Sequence, residues 1–240
     1  MNDCSIMIVS SSAIVLSKLK YRDNDLIVKL LVKDIGVTSF IIRGNSKRNK
    51  SNYFQQLSVL KLEFDYKIKR NLQYLKELEF KYNFKTIHTD FKKVGVIIFL
   101  SEILSKILIH QEKDLGLYNY IEKSILFFDN TSSNPNFHLI FLMKLSRFLG
   151  FYPDGEKNKF DFFDLQNGFY TETKTSKYNI YGNELKIFNM ILGTNFDDCN
   201  ELTITSMQRK KVLDNIILYY KLHIENFKSV KSLEVLRKLF

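Results

Sequence analysis

With 240 residues, 45% of them hydrophobic, the chain is long enough to bury a sizeable core as one large domain or two small ones, which excludes wholesale disorder. A formal net charge of +10 points to a polyanionic partner such as nucleic acid, anionic lipid or an acidic protein tail, although an AT-rich genome also enriches a sequence in lysine. The charge is uneven: residues 1–90 hold 16 Lys/Arg against 9 Asp/Glu, the remainder 20 against 17.

The first 80 or so residues read as strands. Residues 13–21 and 26–32 are strand-like, and 37–42 form another run, opened by Gly36 and closed by Gly44. Over 60–67 the alternation is strict, with Leu60, Leu62, Phe64 and Tyr66 interleaved with Lys61, Glu63, Asp65 and Lys67. A last stretch, 72–80, follows a turn near Arg70-Asn71. Four or five short strands in so little chain suggest a small barrel, since closure removes exposed sheet edges.

The period then changes to that of helices, at 94–108, 115–129 and 137–149, the third opened by Asn134-Pro135 and closed by Gly150. Between 155 and 182 the helical pattern stops, and Asn167-Gly168 marks the turn of a small β-hairpin. Helices resume at about 183–192, 205–227 and 229–239. The expected fold is α+β: a β-barrel domain over 1–82, then a helical domain over 83–240 with a β-hairpin insertion at about 155–182.

Catalytic signals are sparse. His88, His110, His138 and His223 are scattered without metal-ligand spacing, and the cysteines, Cys4 and Cys199, stand far apart, which fits a reducing cytosol. No metal, cofactor or catalytic residue is expected. No serine sits in a G-x-S-x-G elbow. Asp23 and Asp25 suit a turn or an ion pair, with a metal or acid–base role as the alternative. No basic start followed by a long apolar run marks a signal peptide, and the strongest apolar stretch, 94–100, is too short to span a bilayer. A cytoplasmic protein without membrane contact is expected.

The most informative segment is the loop after the third strand, 43–50, with Arg43, Lys47, Arg48 and Lys50 among Gly, Asn and Ser. It lacks the spacing of a P-loop, but a flexible basic loop at a barrel rim can clamp phosphates by charge pairing. Lys18, Lys20 and Arg22 are expected on the same rim. Tyr21, Tyr53 and Phe54 are close by in sequence; they can stack bases beside a basic groove or equally belong to the core.

In this order the segments resemble the RecO family of recombination mediators. The resemblance is carried by 21–25 (YRDND), Leu30-Leu31 with Gly36, Arg43-Gly44 and the basic loop. It continues through Gln56-Leu57 to Glu63, 75–77, the helix and Leu-Gly-aromatic turn of 137–153, and 229–240. It implies an N-terminal OB-fold that binds single- and double-stranded DNA and anneals complementary strands. It further implies a partnership with RecR, displacement of single-strand-binding protein and, indirectly, loading of RecA, by a nucleoid-associated protein. Many members carry a four-cysteine zinc module in the region matching 155–182. This chain has no cysteine there, so an aromatic hairpin core of Phe160, Phe162, Phe163, Phe169 and Tyr170 is expected to replace the metal. The acidic, aromatic-ended tail of single-strand-binding protein needs a cation beside an apolar pocket, for which Lys144 and Arg147 are candidates, with an ordinary solvated helix face as the alternative. Two readings of other classes stand beside this one: an RNA-binding OB-fold module without a repair role, and an enzyme built on remote carboxylates such as Asp23 and Asp25.

Overall fold

A computed structural model of the chain describes residues 7–22, 24–44, 51–154 and 159–239; Cys4, Asp23, Lys47, Arg48 and Lys50 lie outside them. The chain forms two compact units, 1–130 and 131–240.

In the first unit five strands close into a barrel of order β1-β2-β3-β5-β4. They are β1 (Met7–Tyr21), β2 (Asp25–Val32), β3 (Gly36–Ile42), β4 (Val59–Tyr66) and β5 (Gln73–Phe80). Every pairing is antiparallel except β3 with β5, which run parallel at Phe40–Gln73 and Ile41–Tyr74. This is the five-stranded arrangement of an OB-fold. The alternation read from the sequence sets the inside: Val28, Leu30, Phe40, Leu60, Leu62 and Phe64 fill the core, with Phe40 edge-on to Phe64 at 5.0 Å.

Two features of β1 depart from simple alternation. It starts at Met7 rather than at 13, because Ser10, Ser11 and Ser12 interrupt the apolar signal while their backbone still pairs with Glu63, Leu62 and Lys61 of β4. Its residues Ala13 to Leu16 are all buried, because a helix covers the outer face where a bulge between Val15 and Ser17 shifts the register. That helix is α1 (Phe91–Ile107), whose Ser101 hydroxyl donates to the Leu16 carbonyl at 2.6 Å. At the β2–β3 turn, Gly36 has φ +108° and a Cβ there would lie 2.2 Å from the Gln111 carbonyl, which accepts the Val37 N–H. Only glycine meets both demands.

A polar knot joins the barrel exit to the helices of this unit. Asp90 caps α1 by accepting from the N–H groups of Lys92 and Lys93. The Lys93 side chain is buried, and its ammonium donates to the carbonyls of Phe128 and Asp129 at 2.6 and 3.1 Å and to the Thr86 hydroxyl at 2.7 Å. Those carbonyls end α2 (Leu115–Asn130), so a cation sits where the helix dipole favours one. The Asp129 carboxylate in turn accepts the backbone N–H groups of Lys85, Thr86 and Ile87. These bonds hold it below the usual carboxylate range against the opposing cost of burial.

The second unit holds α3 (Phe137–Phe148), β6 (Phe162–Asp164), β7 (Phe169–Thr171), β8 (Asn179–Tyr181), α4 (Gly182–Gly193), α5 (Ser206–His223) and α6 (Leu233–Leu239). The expected hairpin is one half of a three-stranded sheet with β6 in the centre; β8 is too short to show a period in the sequence. The expected aromatic core is corrected in part. Phe163 and Tyr170 are buried, with Phe188 and Tyr219 packed on Phe163, whereas Phe169 is exposed and Phe160 and Phe162 are half-buried. The fastening is polar as well. Asp164, fully buried, accepts from the Gln166 N–H at 2.8 Å, the Asn167 amide at 3.0 Å, and the hydroxyls of Thr175 at 2.6 Å and Ser176 at 3.2 Å. A buried carboxylate so surrounded ties β6 to the loop ahead of β8.

Candidate nucleic-acid interface

The β1–β2 ribbon carries Lys18 and Lys20, both exposed and paired in register with Val28 and Leu26, so the two ammonium stems share one face and Leu19 takes the other. At the tip of the ribbon Arg22 adopts φ +53°, and its guanidinium lies 5.2 Å from the centre of the Tyr21 ring. The Asp25 carboxylate closes the turn by accepting the Gly44 N–H at 3.0 Å. Here turn and strand end are pressed together, since a Cβ on Gly44 would stand 2.6 Å from the Cβ of Asn24. Arg43 is therefore fixed beside the turn that carries Arg22.

The parallel pairing of β3 with β5 sets the next neighbour. Ile41 lies against Tyr74, which brings the Arg43 side chain to the Tyr74 ring, where Nη2 donates to the phenol oxygen at 3.4 Å. The Arg43 guanidinium carbon is 5.6 Å from the ring centre, and that of Arg70 is 4.8 Å away. Arg70 belongs to the β4–β5 turn, which also holds Lys67 and Lys69. Buried Gln73 locks this turn: its Nε2 donates to the carbonyls of Lys67 and Arg70 at 2.9 and 2.7 Å, and its Oε1 accepts the Lys67 N–H at 3.1 Å.

Charge in this strip is left open. The Arg43 bond and the nearby cations hold the Tyr74 hydroxyl below the usual phenol range, and the same bond raises Arg43, with Asp25 adding attraction without closing an ion pair. Among the described residues neither Arg43 nor Arg70 forms a salt bridge. Elsewhere on the barrel Lys76 pairs with Asp65 at 2.8 Å and Lys61 with Glu79 at 3.0 Å.

Of the residues expected at this surface, the structure puts Arg22 and Arg43 at the same end of the sheet, Arg22 next to the β1–β2 turn and Arg43 next to the Gly44–Asp25 contact, and leaves Lys18 and Lys20 exposed on the ribbon. Phe54 is excluded from base stacking because it is fully buried in the barrel core; Tyr53 packs against that core and stacks on Phe80 at 4.5 Å. Sequence reasoning missed Arg70 and Tyr74. The basic run Lys67, Lys69 and Arg70 was the available signal, and alternation from buried Gln73 turns Tyr74 outward.

In the second unit Lys144 and Arg147 share α3 but have different partners. The Lys144 ammonium donates to the Asn195 side chain at 2.8 Å, and the Arg147 guanidinium lies 4.3 Å from the centre of the Tyr152 ring. Arg147 lines a cleft of about 490 Å³ with Phe151, Tyr152, Tyr219 and His223; Lys144 is not among its lining residues. Among the described residues no three His, Cys, Asp or Glu side chains gather as a metal site, and no helix is long and apolar enough to cross a membrane.

Comparison with known proteins covers nearly the whole chain. Residues 7–84 match the family model described as recombination protein O N terminal, and residues 88–234 match recombination protein O C terminal. The DNA repair protein RecO of Christiangramia forsetii is 33% identical over 238 residues, 98% of this chain and 100% of that protein. The RecO proteins of Flavobacterium psychrophilum and Phocaeicola vulgatus are 34% and 33% identical, again with 98% of this chain and 100% of each relative covered.

Proposed function

Since the chain belongs to the RecO family of DNA repair proteins, we propose that it is a recombination mediator: a DNA-binding adaptor with no catalytic step of its own. It binds single-stranded and duplex DNA on the barrel, anneals complementary strands and, with RecR, helps RecA replace single-strand-binding protein. The observation that carries this reading is the strip running from Arg22 through Arg43 to Arg70, whose guanidinium groups have no carboxylate partner among the described residues. Lys18 and Lys20 on the ribbon extend it, and Lys47, Arg48 and Lys50 follow Arg43 closely in the sequence. Such a surface neutralises phosphates and releases counterions without reading sequence, and two strands held on it no longer repel each other.

The test is annealing of two complementary labelled oligonucleotides. The protein is expected to accelerate it, and changing Arg22, Arg43 and Arg70 together to Ala is expected to slow it about tenfold or more. An annealing rate unmoved by the protein would remove the mediator reading.

The second unit is assigned the acidic tail of single-strand-binding protein. Arg147, beside an aromatic cleft, supplies the cation, with Lys144 one helical turn away. A labelled tail peptide is expected to lose about fivefold or more in affinity with Arg147→Ala. Unchanged affinity in Arg147→Ala and Lys144→Ala would place the tail elsewhere.

A further inference from the structure

We propose that Tyr74 with Arg43 and Arg70 forms a subsite selective for single-stranded DNA, in which the ring stacks an unpaired base and the two guanidinium groups hold the phosphates flanking it. The inference rests on the DNA-binding reading above and adds to it the residue that tells an unpaired strand from a duplex.

Three observations converge on this ring. Tyr74 is 41% exposed on the outer face of β5, where an aromatic side chain gains nothing from the core. It is also, among the described residues, the one ring approached by two cations, at 4.8 and 5.6 Å. Each contact alone is an ordinary surface attraction of about 0.5–1 kcal/mol. Two guanidinium groups on one ring repel each other, however, and Asp25 is occupied with the Gly44 N–H. An anion between them relieves that repulsion.

The third observation is rigidity. Gln73 clamps the turn that carries Arg70, strand pairing fixes Tyr74, and the Gly44–Asp25 bond fixes the backbone beside Arg43. A cluster held in place before binding loses little freedom when it binds. A phosphate alone requires only the arginines. An exposed ring among them suits a ligand that brings a flat apolar face next to its phosphates, as an unpaired nucleotide does. In a duplex that face is covered by its neighbours, and exposing it requires flipping the base out.

The experiment measures anisotropy with three labelled ligands: a thymidine oligonucleotide, the same oligonucleotide with abasic residues, and a duplex. Tyr74→Ala is expected to weaken the oligonucleotide about fivefold to a hundredfold and the duplex less than about twofold, with Tyr74→Phe retaining most of the affinity. The wild-type protein is expected to prefer the thymidine strand to the abasic strand, and Tyr74→Ala to erase that preference. Duplex binding reports that the variant is folded, and the abasic comparison in the wild-type protein needs no variant. Equal losses on strand and duplex, or no preference for the thymidine strand, would overturn the subsite and leave DNA binding standing. Failure of the wild-type protein to bind either DNA at low salt would overturn both.

Discussion

The Arg43–Arg70 strip of the barrel and the α4–α6 helices of the second unit use their cations in opposite ways. In the second, Arg237 is gripped by Asp214 and Glu234, Lys211 pairs with Glu184, and Arg209 donates to the Asn136 side chain and the Ile204 carbonyl. On the barrel, Arg43 and Arg70 meet across a phenol ring with no carboxylate among the described residues closing on either. A net charge of +10 therefore does not describe the barrel strip, because a paired arginine and its carboxylate cancel in the total, whereas an arginine without such a partner stays available to a ligand. The same contrast recurs within the barrel, where Lys61 and Lys76 are paired.

The largest expected effects come from cations and carboxylates that are structural. Lys93→Met leaves the Phe128 and Asp129 carbonyls without their ammonium donor and is expected to cost about 2–4 kcal/mol in denaturant unfolding. At temperatures where the variant is folded, its DNA affinity should match that of the parent. An unchanged midpoint would contradict the role given to Lys93.

Acid sensitivity follows next. Asp129 and Asp164 are both held below the ordinary carboxylate range by hydrogen bonds in the folded chain, against the opposing cost of burial. As pH falls, the unfolded chain takes up these protons first, so the stability they contribute is complete at neutral pH. It is lost as pH falls from about 4 downward through the folded-state values. Asp164→Asn should lower the melting temperature at pH 7 and narrow the gap between pH 7 and pH 3. A gap of unchanged width would contradict the assignment.

The smallest effects should come from the paired barrel lysines. Lys61→Ala and Lys76→Ala are expected to change stability by about 0.5 kcal/mol or less and DNA affinity by less than about twofold. A larger loss of affinity would show that pairing does not withdraw a cation from the surface.

Much of this fold is legible in the sequence, and the parts that are not share a cause. Strand β4 follows from strict alternation, β2, β3 and β5 from short runs bounded by turn residues, and the first three helices from apolar residues at helical spacing. The start of β1 does not, since the strand needs β4 to explain three serines, and β8 needs β6. The site divides in the same way. Arg22 and Arg43 flank strand ends in the sequence and stand at the same end of the sheet in the fold. Tyr74 has Arg70 as a local neighbour from the β4–β5 turn but acquires Arg43 only through the parallel β3–β5 pairing, a contact between distant segments that no local pattern encodes. Phe54 shows the converse, where nearness in sequence to a basic loop says nothing about which way a ring points.

The central claim is that unpaired cations, rather than total charge, make the binding surface, and a charge-matched pair of variants tests it most directly. Arg43→Ala/Arg70→Ala and Lys61→Ala/Lys76→Ala remove the same formal charge from the same barrel. Single-stranded DNA affinity would be measured for both across a salt series. The arginine variant should lose about tenfold in affinity and flatten the slope of log K against log salt by about 1.4, corresponding to two phosphate contacts, while the lysine variant keeps the parent's slope. Equal losses in the two variants would contradict the claim and leave net charge as the sole source of binding.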